Sequence, residues 1–190
     1  MSPDILQAVT DKERKRQEAI FELLTSERHY VDSLKMVNEL FYDPMEEQDV
    51  LTEEERSKVY VNWDELIKCS SELLNGFLVR LRMSGAVVRC IGDVLVTQIP
   101  NLTPYIRWCG CQLNACTLLQ QKSSDPKYKE FEAKCAQNPR TKGLPLSSFL
   151  LKPMQRVTKY PLLVKRVSPS ICDSVWLERV DVCYCNLTQG

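Results

Sequence analysis

The chain has 190 residues, of which 44% are hydrophobic and 26% charged, which is enough apolar material for the core of one ordinary domain. Its 25 Lys and Arg balance 25 Asp and Glu, so no basic field exists to attract nucleic acid or anionic lipid. The six glycines form no phosphate-binding motif, and the single histidine, His29, argues against a histidine metal site or a Ser–His–Asp triad. We therefore expect no catalytic residues, no metal site and no cofactor.

The N-terminal segment has no signal-peptide pattern, and no apolar run is long enough to cross a bilayer. We therefore expect a cytoplasmic location without direct membrane insertion. Among the nine cysteines, Cys109, Cys111 and Cys116 lie close in sequence and could suggest a metal site. Their spacing fits no zinc motif, and the favoured interpretation is that they are reduced and act as small apolar residues.

Apolar residues recur at steps of three and four along most of the chain, which predicts an all-α protein. A first helix is predicted over 11–41, opened by a capping box at Thr10–Glu13 and ended by Asp43-Pro44. A second capping box at Thr52–Glu55 opens a helical region that ends near Ser84-Gly85. A shorter segment, 87–99, stops before Pro100.

Two further helix starts carry proline at the first helical position, at Pro104 and Pro126. These helices are predicted over 104–122 and 126–137, and a loop with Asn138-Pro139 and Lys142-Gly143 follows. The segment 144–167 is helical in pattern, but Pro153 and Pro161 interrupt it and predict a kink.

Glu27 falls in register with the apolar stripe of the first helix, at positions 20, 24, 31 and 34. Burial of a carboxylate is costly unless it is paired. Two readings are open at this point. Glu27 lies at the edge of the stripe in an ion pair with Arg28 or a neighbouring helix, or it faces a partner.

The segment from Leu150 to Val164 carries two neighbouring faces. The first is apolar and consists of Leu150, Met154, Val157, Pro161 and Val164. The second mixes aliphatic, amide and cationic groups, as protein contacts do, and consists of Leu151, Gln155, Lys159 and Leu162. Lys152, Arg156 and Lys159 add a basic ridge, which is either a solvated face or part of that contact.

Two segments resemble the conserved regions of Dbl-homology (DH) domains, the RhoGEF family. EAIFELLTSERHYVDSL at 18–34 is similar to the first region, and LPLSSFLLKPMQRVTKYPLLVK at 144–165 is similar to the third. The resemblance covers about residues 10–167. It implies an elongated helical bundle that acts as a guanine-nucleotide exchange factor for a Rho-family GTPase, with a Cdc-type member expected here.

Such a domain is not an enzyme in the covalent sense. It binds the switch regions of the GTPase, displaces magnesium and releases GDP. By matching motif positions, the resemblance assigns Glu27 to switch I. It assigns Leu151, Met154, Gln155 and Lys159 to switch II and the neighbouring strands, and Leu144 to a further contact.

The resemblance implies three parts of the chain: an extension at 1–9, a DH domain at 10–167 and an unrelated tail at 168–190. Ser168-Pro169 interrupts the pattern where the family continues into a last helix and a pleckstrin-homology domain. On this reading the domain is incomplete at its C-terminal end. The alternative function is therefore a helical module that binds a GTPase, or a partner in its parent protein, without exchanging nucleotide.

Overall fold

A computed structural model describes residues 10–85 and 87–167, so the predictions for 1–9 and 168–190 fall outside the described residues. All regular elements in the described part are helical, which confirms the all-α prediction. The α-helices are α1 (Asp11–Val37), α2 (Asp43–Glu47), α3 (Glu53–Val59), α4 (Trp63–Ser84), α5 (Gly92–Gln98), α6 (Pro104–Lys122), α7 (Pro126–Ala136), α8 (Leu146–Leu150) and α9 (Lys152–Val167). None of these helices is both long and apolar enough to cross a membrane.

Helix α1 buries the stripe that its sequence predicts. Ile20, Leu24, Val31 and Leu34 are all at most 5% exposed. The hydroxyl of Thr10 accepts a hydrogen bond from the backbone N–H of Glu13 at 3.3 Å. The carboxylate of Glu13 pairs with Arg16 and Gln17 instead of returning to Thr10, so only half of the predicted capping box forms.

The predicted end of the first helix at Asp43-Pro44 is wrong, because a π-helical turn, Asn38–Tyr42, follows α1 and leads directly into α2, which contains Pro44. Pro44 has no N–H to donate to the carbonyl of Leu40. The thiol of Cys135 donates to that carbonyl instead, at 3.2 Å. The wide turn and this substitute donor allow the helical path to continue.

The helical region predicted from Thr52 to Ser84 consists of two helices, which are separated by Tyr60, Val61 and Asn62. Its capping box is complete: the N–H of Glu55 donates to the Thr52 hydroxyl at 3.2 Å, and the N–H of Thr52 donates to the Glu55 carboxylate at 3.0 Å. The predicted starts at Pro104 and Pro126 are confirmed. The predicted stop before Pro100 is confirmed, since α5 ends at Gln98, and a 3₁₀ turn, Ile99–Leu102, that contains this proline follows it.

The described chain divides into two compact units. The first takes in residues up to His29, Lys68–Thr103 and residues from Thr158. Within it, the Gln17 side-chain amide donates to the carbonyl of Val88 and accepts from its N–H, at 2.8 and 3.0 Å. Gly76 allows α5 to approach α4, because a Cβ at this position would lie 2.9 Å from a methyl of Val94.

The second unit contains Tyr30–Ile67 and Pro104–Val157. Its core is aromatic: the rings of Trp63 and Trp108 lie 5.0 Å apart, and both residues are at most 2% exposed. The indole N–H of Trp63 donates to the carbonyl of Leu34 at 3.3 Å, so this ring also fixes the end of α1.

The complete capping box predicts that Thr52→Ala lowers the free energy of unfolding by about 1 kcal/mol, because the N–H of Glu55 loses the hydroxyl that accepts its hydrogen bond. Urea unfolding followed by circular dichroism at 222 nm measures this change. Ser57→Ala is the matched control, since the Ser57 hydroxyl bonds only the carbonyl of Glu54 on the exposed side of the same helix. Equal midpoints for the two variants would contradict the role of Thr52.

Candidate functional site

Glu27 is fully buried in the first unit, at 0% exposure. The hydroxyl of Tyr160, which is 3% exposed, lies 2.9 Å from each carboxylate oxygen and donates to that carboxylate. Glu27 therefore lies within the buried stripe and not at its edge, which contradicts the edge reading. In this structure the carboxylate does not reach the surface, so a direct contact with a partner requires the side chains around it to move.

The buried environment of Glu27 disfavours the charged form of a side chain. Burial is the main cause that raises the pKa of the nearby Cys69 thiol to about 11, and the negative charge of Glu27 adds to it. At neutral pH this thiol is protonated. In such an environment, hydrogen-bond donors such as the Tyr160 hydroxyl lower the cost of keeping a carboxylate buried.

Helix α9 buries only part of the predicted apolar face: Leu150, just before the helix, and Val164 are buried, whereas Val157 and Pro161 are partly exposed. The buried residues are Pro153, Arg156, Tyr160, Val164 and Val167. Met154, which was predicted on the apolar face, is 40% exposed. In the first unit, the Tyr160 hydroxyl reaches Glu27 and fixes the rotation of the C-terminal part of the helix.

The predicted basic ridge is also only partly present. Arg156 is 5% exposed, and its guanidinium carbon lies 5.9 Å from the ring centroid of Tyr30. Lys152 is half-buried over the Phe149 ring at 4.7 Å, and burial lowers its pKa. Of these three cationic residues, only Lys159 is exposed.

Five of the six predicted contact residues are exposed. In the second unit, Leu144, Leu151 and Met154 are 43%, 39% and 40% exposed, and Gln155 is exposed as well. In the first unit, Lys159 is exposed beside the buried Tyr160. Exposed aliphatic residues next to an amide and a cation are typical of a protein-binding surface.

Sequence reasoning missed the role of Tyr160, which holds Glu27, and the burial of Arg156. The available signal was weak: Arg156, Tyr160 and Val164 recur every four residues, but two of the three are polar. A polar tip conceals a buried position in a pattern search that counts apolar residues.

The hydrogen bond between Tyr160 and Glu27 predicts that Tyr160→Phe lowers the free energy of unfolding by about 1–3 kcal/mol, since a buried carboxylate loses a donor. Urea unfolding measures this loss. Tyr128→Phe is the matched control, because the Tyr128 hydroxyl donates at 3.2 Å to Glu132, a carboxylate that water can still reach. A loss no larger than in this control would show that Tyr160 contributes little to holding Glu27.

The chain is similar in sequence to known proteins over most of its length. The chain is 51% identical to intersectin-1 of Xenopus laevis over 166 residues, which is 86% of this chain and 10% of that protein. It is 36% identical to the neuroepithelial cell-transforming gene 1 protein of Mus musculus, over 85% of this chain and 27% of that protein. The chain thus spans about a tenth of the intersectin relatives that it matches.

Solved structures show the same fold. The DH/PH domains of p115-RhoGEF superpose with a TM-score of 0.85 at 31% identity, covering 100% of this chain and 54% of that one. The DH/PH domains of PDZ-RhoGEF in complex with GTPγS-activated RhoA give a TM-score of 0.86 at 23% identity, over 99% of this chain and 56% of that one. The family model of the RhoGEF domain matches residues 19–173. The chain therefore belongs to the RhoGEF (Dbl-homology) domain family.

Proposed function

We propose that this domain is a guanine-nucleotide exchange factor for a Rho-family GTPase of the Cdc type, and that it acts in the cytoplasm. The observation that carries the proposal is the exposed row on α9: Leu151, just before the helix, is followed by Met154, Gln155 and Lys159. The opposite face of the same helix is buried, so these side chains are held on a rigid element. This row lies within the segment that the family model matches.

Two comparisons support a Rho-family partner. PDZ-RhoGEF, which shares the fold, has been solved in complex with RhoA. Rho guanine nucleotide exchange factor 3 of Gallus gallus is 35% identical over 84% of this chain. The preference for a Cdc-type member comes from the resemblance to intersectins.

The proposed mechanism requires no covalent chemistry. The exposed row, with Leu144, binds switch II and the adjacent strands, and Glu27 acts on switch I. This domain and the nucleotide each weaken the binding of the other to the GTPase, and they do so by the same factor. Release of GDP follows from stabilising the nucleotide-free form.

Burial of Glu27 favours a second candidate function. If the hydrogen bond with Tyr160 persists when the GTPase binds, Glu27 does not reach switch I. The domain would then bind the GTPase through the exposed row alone, without exchanging nucleotide. The two functions differ in whether binding is followed by release.

Release of a fluorescent GDP analogue from a Cdc-type GTPase tests the proposal. We expect the release rate to rise above the intrinsic rate and to saturate with the concentration of this chain. RhoA and a Rac-type GTPase, run in parallel, test the specificity. Saturable binding with release at the intrinsic rate would replace exchange by the second function.

In the same assay, Glu27→Ala separates a contact of Glu27 with switch I from its structural role in the core. The free energy of unfolding of the variant is measured alongside. Exchange that is unchanged in a folded variant would remove Glu27 from the contact set. Exchange that is lost while binding is retained would place its action at the release step.

A charge reversal at Lys159 tests the exposed row. We expect Lys159→Glu to slow exchange several-fold at low ionic strength, with a smaller difference at high salt, since an exposed charge acts mainly on encounter. Lys165→Glu is the matched control, because Lys165 is also exposed on α9 but is not a proposed contact. Equal rates for the two variants would remove Lys159 from the binding surface.

A further inference from the structure

The first unit has a strongly basic end that the proposed function does not use. We define this basic end as residues 11–16, which open α1, and residues 80–93, which run from the end of α4 to the start of α5. The two segments contain seven cationic and three anionic residues, a formal charge of +4 in a chain whose total charge is zero. The cations are Lys12, Arg14, Lys15, Arg16, Arg80, Arg82 and Arg89, and the anions are Asp11, Glu13 and Asp93.

Each anion of the basic end is already paired with a cation. The pairs are Asp11–Arg14 at 3.0 Å, Glu13–Arg16 at 2.6 Å and Asp93–Arg80. Four cations are left, and they are exposed and form no ion pair within 10–85 and 87–167: Lys12, Lys15, Arg82 and Arg89. Their positive charge is therefore available to an anionic partner.

Polar contacts join the parts of the basic end into one surface. The Arg16 guanidinium on α1 donates to the backbone carbonyls of Val88 and Arg89, at 2.6 and 3.3 Å. The Asp93 carboxylate at the start of α5 pairs with Arg80 of α4. Helix α1, the segment 87–91 and the end of α4 are therefore adjacent, and the unpaired cations are distributed over all three.

Exposed apolar side chains accompany this charge. Met83 directly follows Arg82 and is 77% exposed, and Val79, which is 45% exposed, precedes Met83 by one helical turn. The two side chains therefore share one edge of α4. Apolar side chains beside Lys and Arg are typical of surfaces that bind at the interface of a membrane.

The arrangement suits a lipid surface better than a nucleic acid or an acidic peptide. The basic end has no aromatic residue on which a nucleic-acid base could stack. Its unpaired cations belong to three elements and do not follow a single groove or sheet edge, which peptide ligands use. A membrane accommodates cations that are spaced over an area, and each one strengthens binding to anionic lipid about fivefold.

We propose that the basic end of the first unit docks on the anionic lipid surface of a membrane, with Met83 among the lipid headgroups. Docking of this kind is peripheral and involves no membrane-spanning segment. The total charge of zero predicts no attraction to anionic lipid, but it conceals the local excess at this end.

Co-sedimentation of the 190-residue chain with lipid vesicles tests the proposal. We expect binding to vesicles of phosphatidylcholine and phosphatidylserine in equal parts, with much weaker binding to phosphatidylcholine alone and a loss of binding at high salt. Absence of binding to the mixed vesicles would overturn the proposal, and equal binding to both kinds of vesicle would overturn the role of the cations.

A double variant locates the charge. Arg82→Gln with Arg89→Gln removes two exposed cations, and we expect binding to the mixed vesicles to weaken about 25-fold. The matched control is Lys68→Gln, because Lys68 is also exposed on α4 but lies about four turns before Arg82. A loss in the control equal to half of that in the double variant, on a logarithmic scale, would mean that the vesicles sense only the net charge, and the proposal would fail.

Met83→Gln tests the apolar contribution, and we expect it to weaken binding to the mixed vesicles several-fold. Leu113→Gln is the matched control, since Leu113 is 72% exposed in the second unit. Equal binding by these two variants would remove Met83 from the lipid contact. A soluble hexaglutamate peptide that binds the chain when the mixed vesicles do not would assign the basic end to an acidic protein partner and overturn the membrane proposal.

Nucleotide exchange separates this proposal from the proposed function. In solution without vesicles, we expect the double variant and Met83→Gln to release the GDP analogue at the rate of the unchanged chain, because none of the substituted residues is a proposed GTPase contact. Failure of lipid binding and failure of exchange are therefore observed in different assays.

Discussion

A carboxylate buried within an apolar stripe constrains much of the first unit. Glu27 lies among side chains that are almost completely buried, and the hydroxyl of Tyr160 donates to it. Removing a carboxylate from water is costly, so a donor must be held in place. Tyr160 can meet that requirement only if α9 has one particular rotation. Within the same unit Lys159, which is next to Tyr160 in sequence, then lies at the surface.

This arrangement bears directly on the proposed exchange activity. The residue that the family motif assigns to switch I is the one that this structure buries, while the residues assigned to switch II are already exposed. Binding through the exposed row therefore needs no rearrangement, whereas the action of Glu27 does. Exchange and simple binding then differ by a local change around Tyr160, and the proposed assays separate the two.

In the second unit, the helical path continues through a proline. Pro44 leaves the carbonyl of Leu40 without its helical donor, and Cys135 supplies a substitute. The π-helical turn before Pro44 contains Asn38 and Tyr42, both of which line a cavity of about 560 Å³ beside α3 and α4.

Sequence alone determined the features that depend on a few neighbouring residues. The capping box at Thr52, the helix starts at Pro104 and Pro126, and the apolar stripe of α1 are local hydrogen bonds and local periodicity. The two motifs at 18–34 and 144–165 were enough to place the chain in its family and to propose its contact residues.

Only the tertiary structure decided which polar residues are buried. Tyr160 meets Glu27 across 133 residues of sequence, and Asn62 meets Pro104 across 42. A short window cannot contain both partners of such a pair, so Glu27 reads as an edge or surface residue and Arg156 as part of a basic ridge. Burial of a polar group is decided by whether a distant donor or acceptor reaches it, and that is a property of packing.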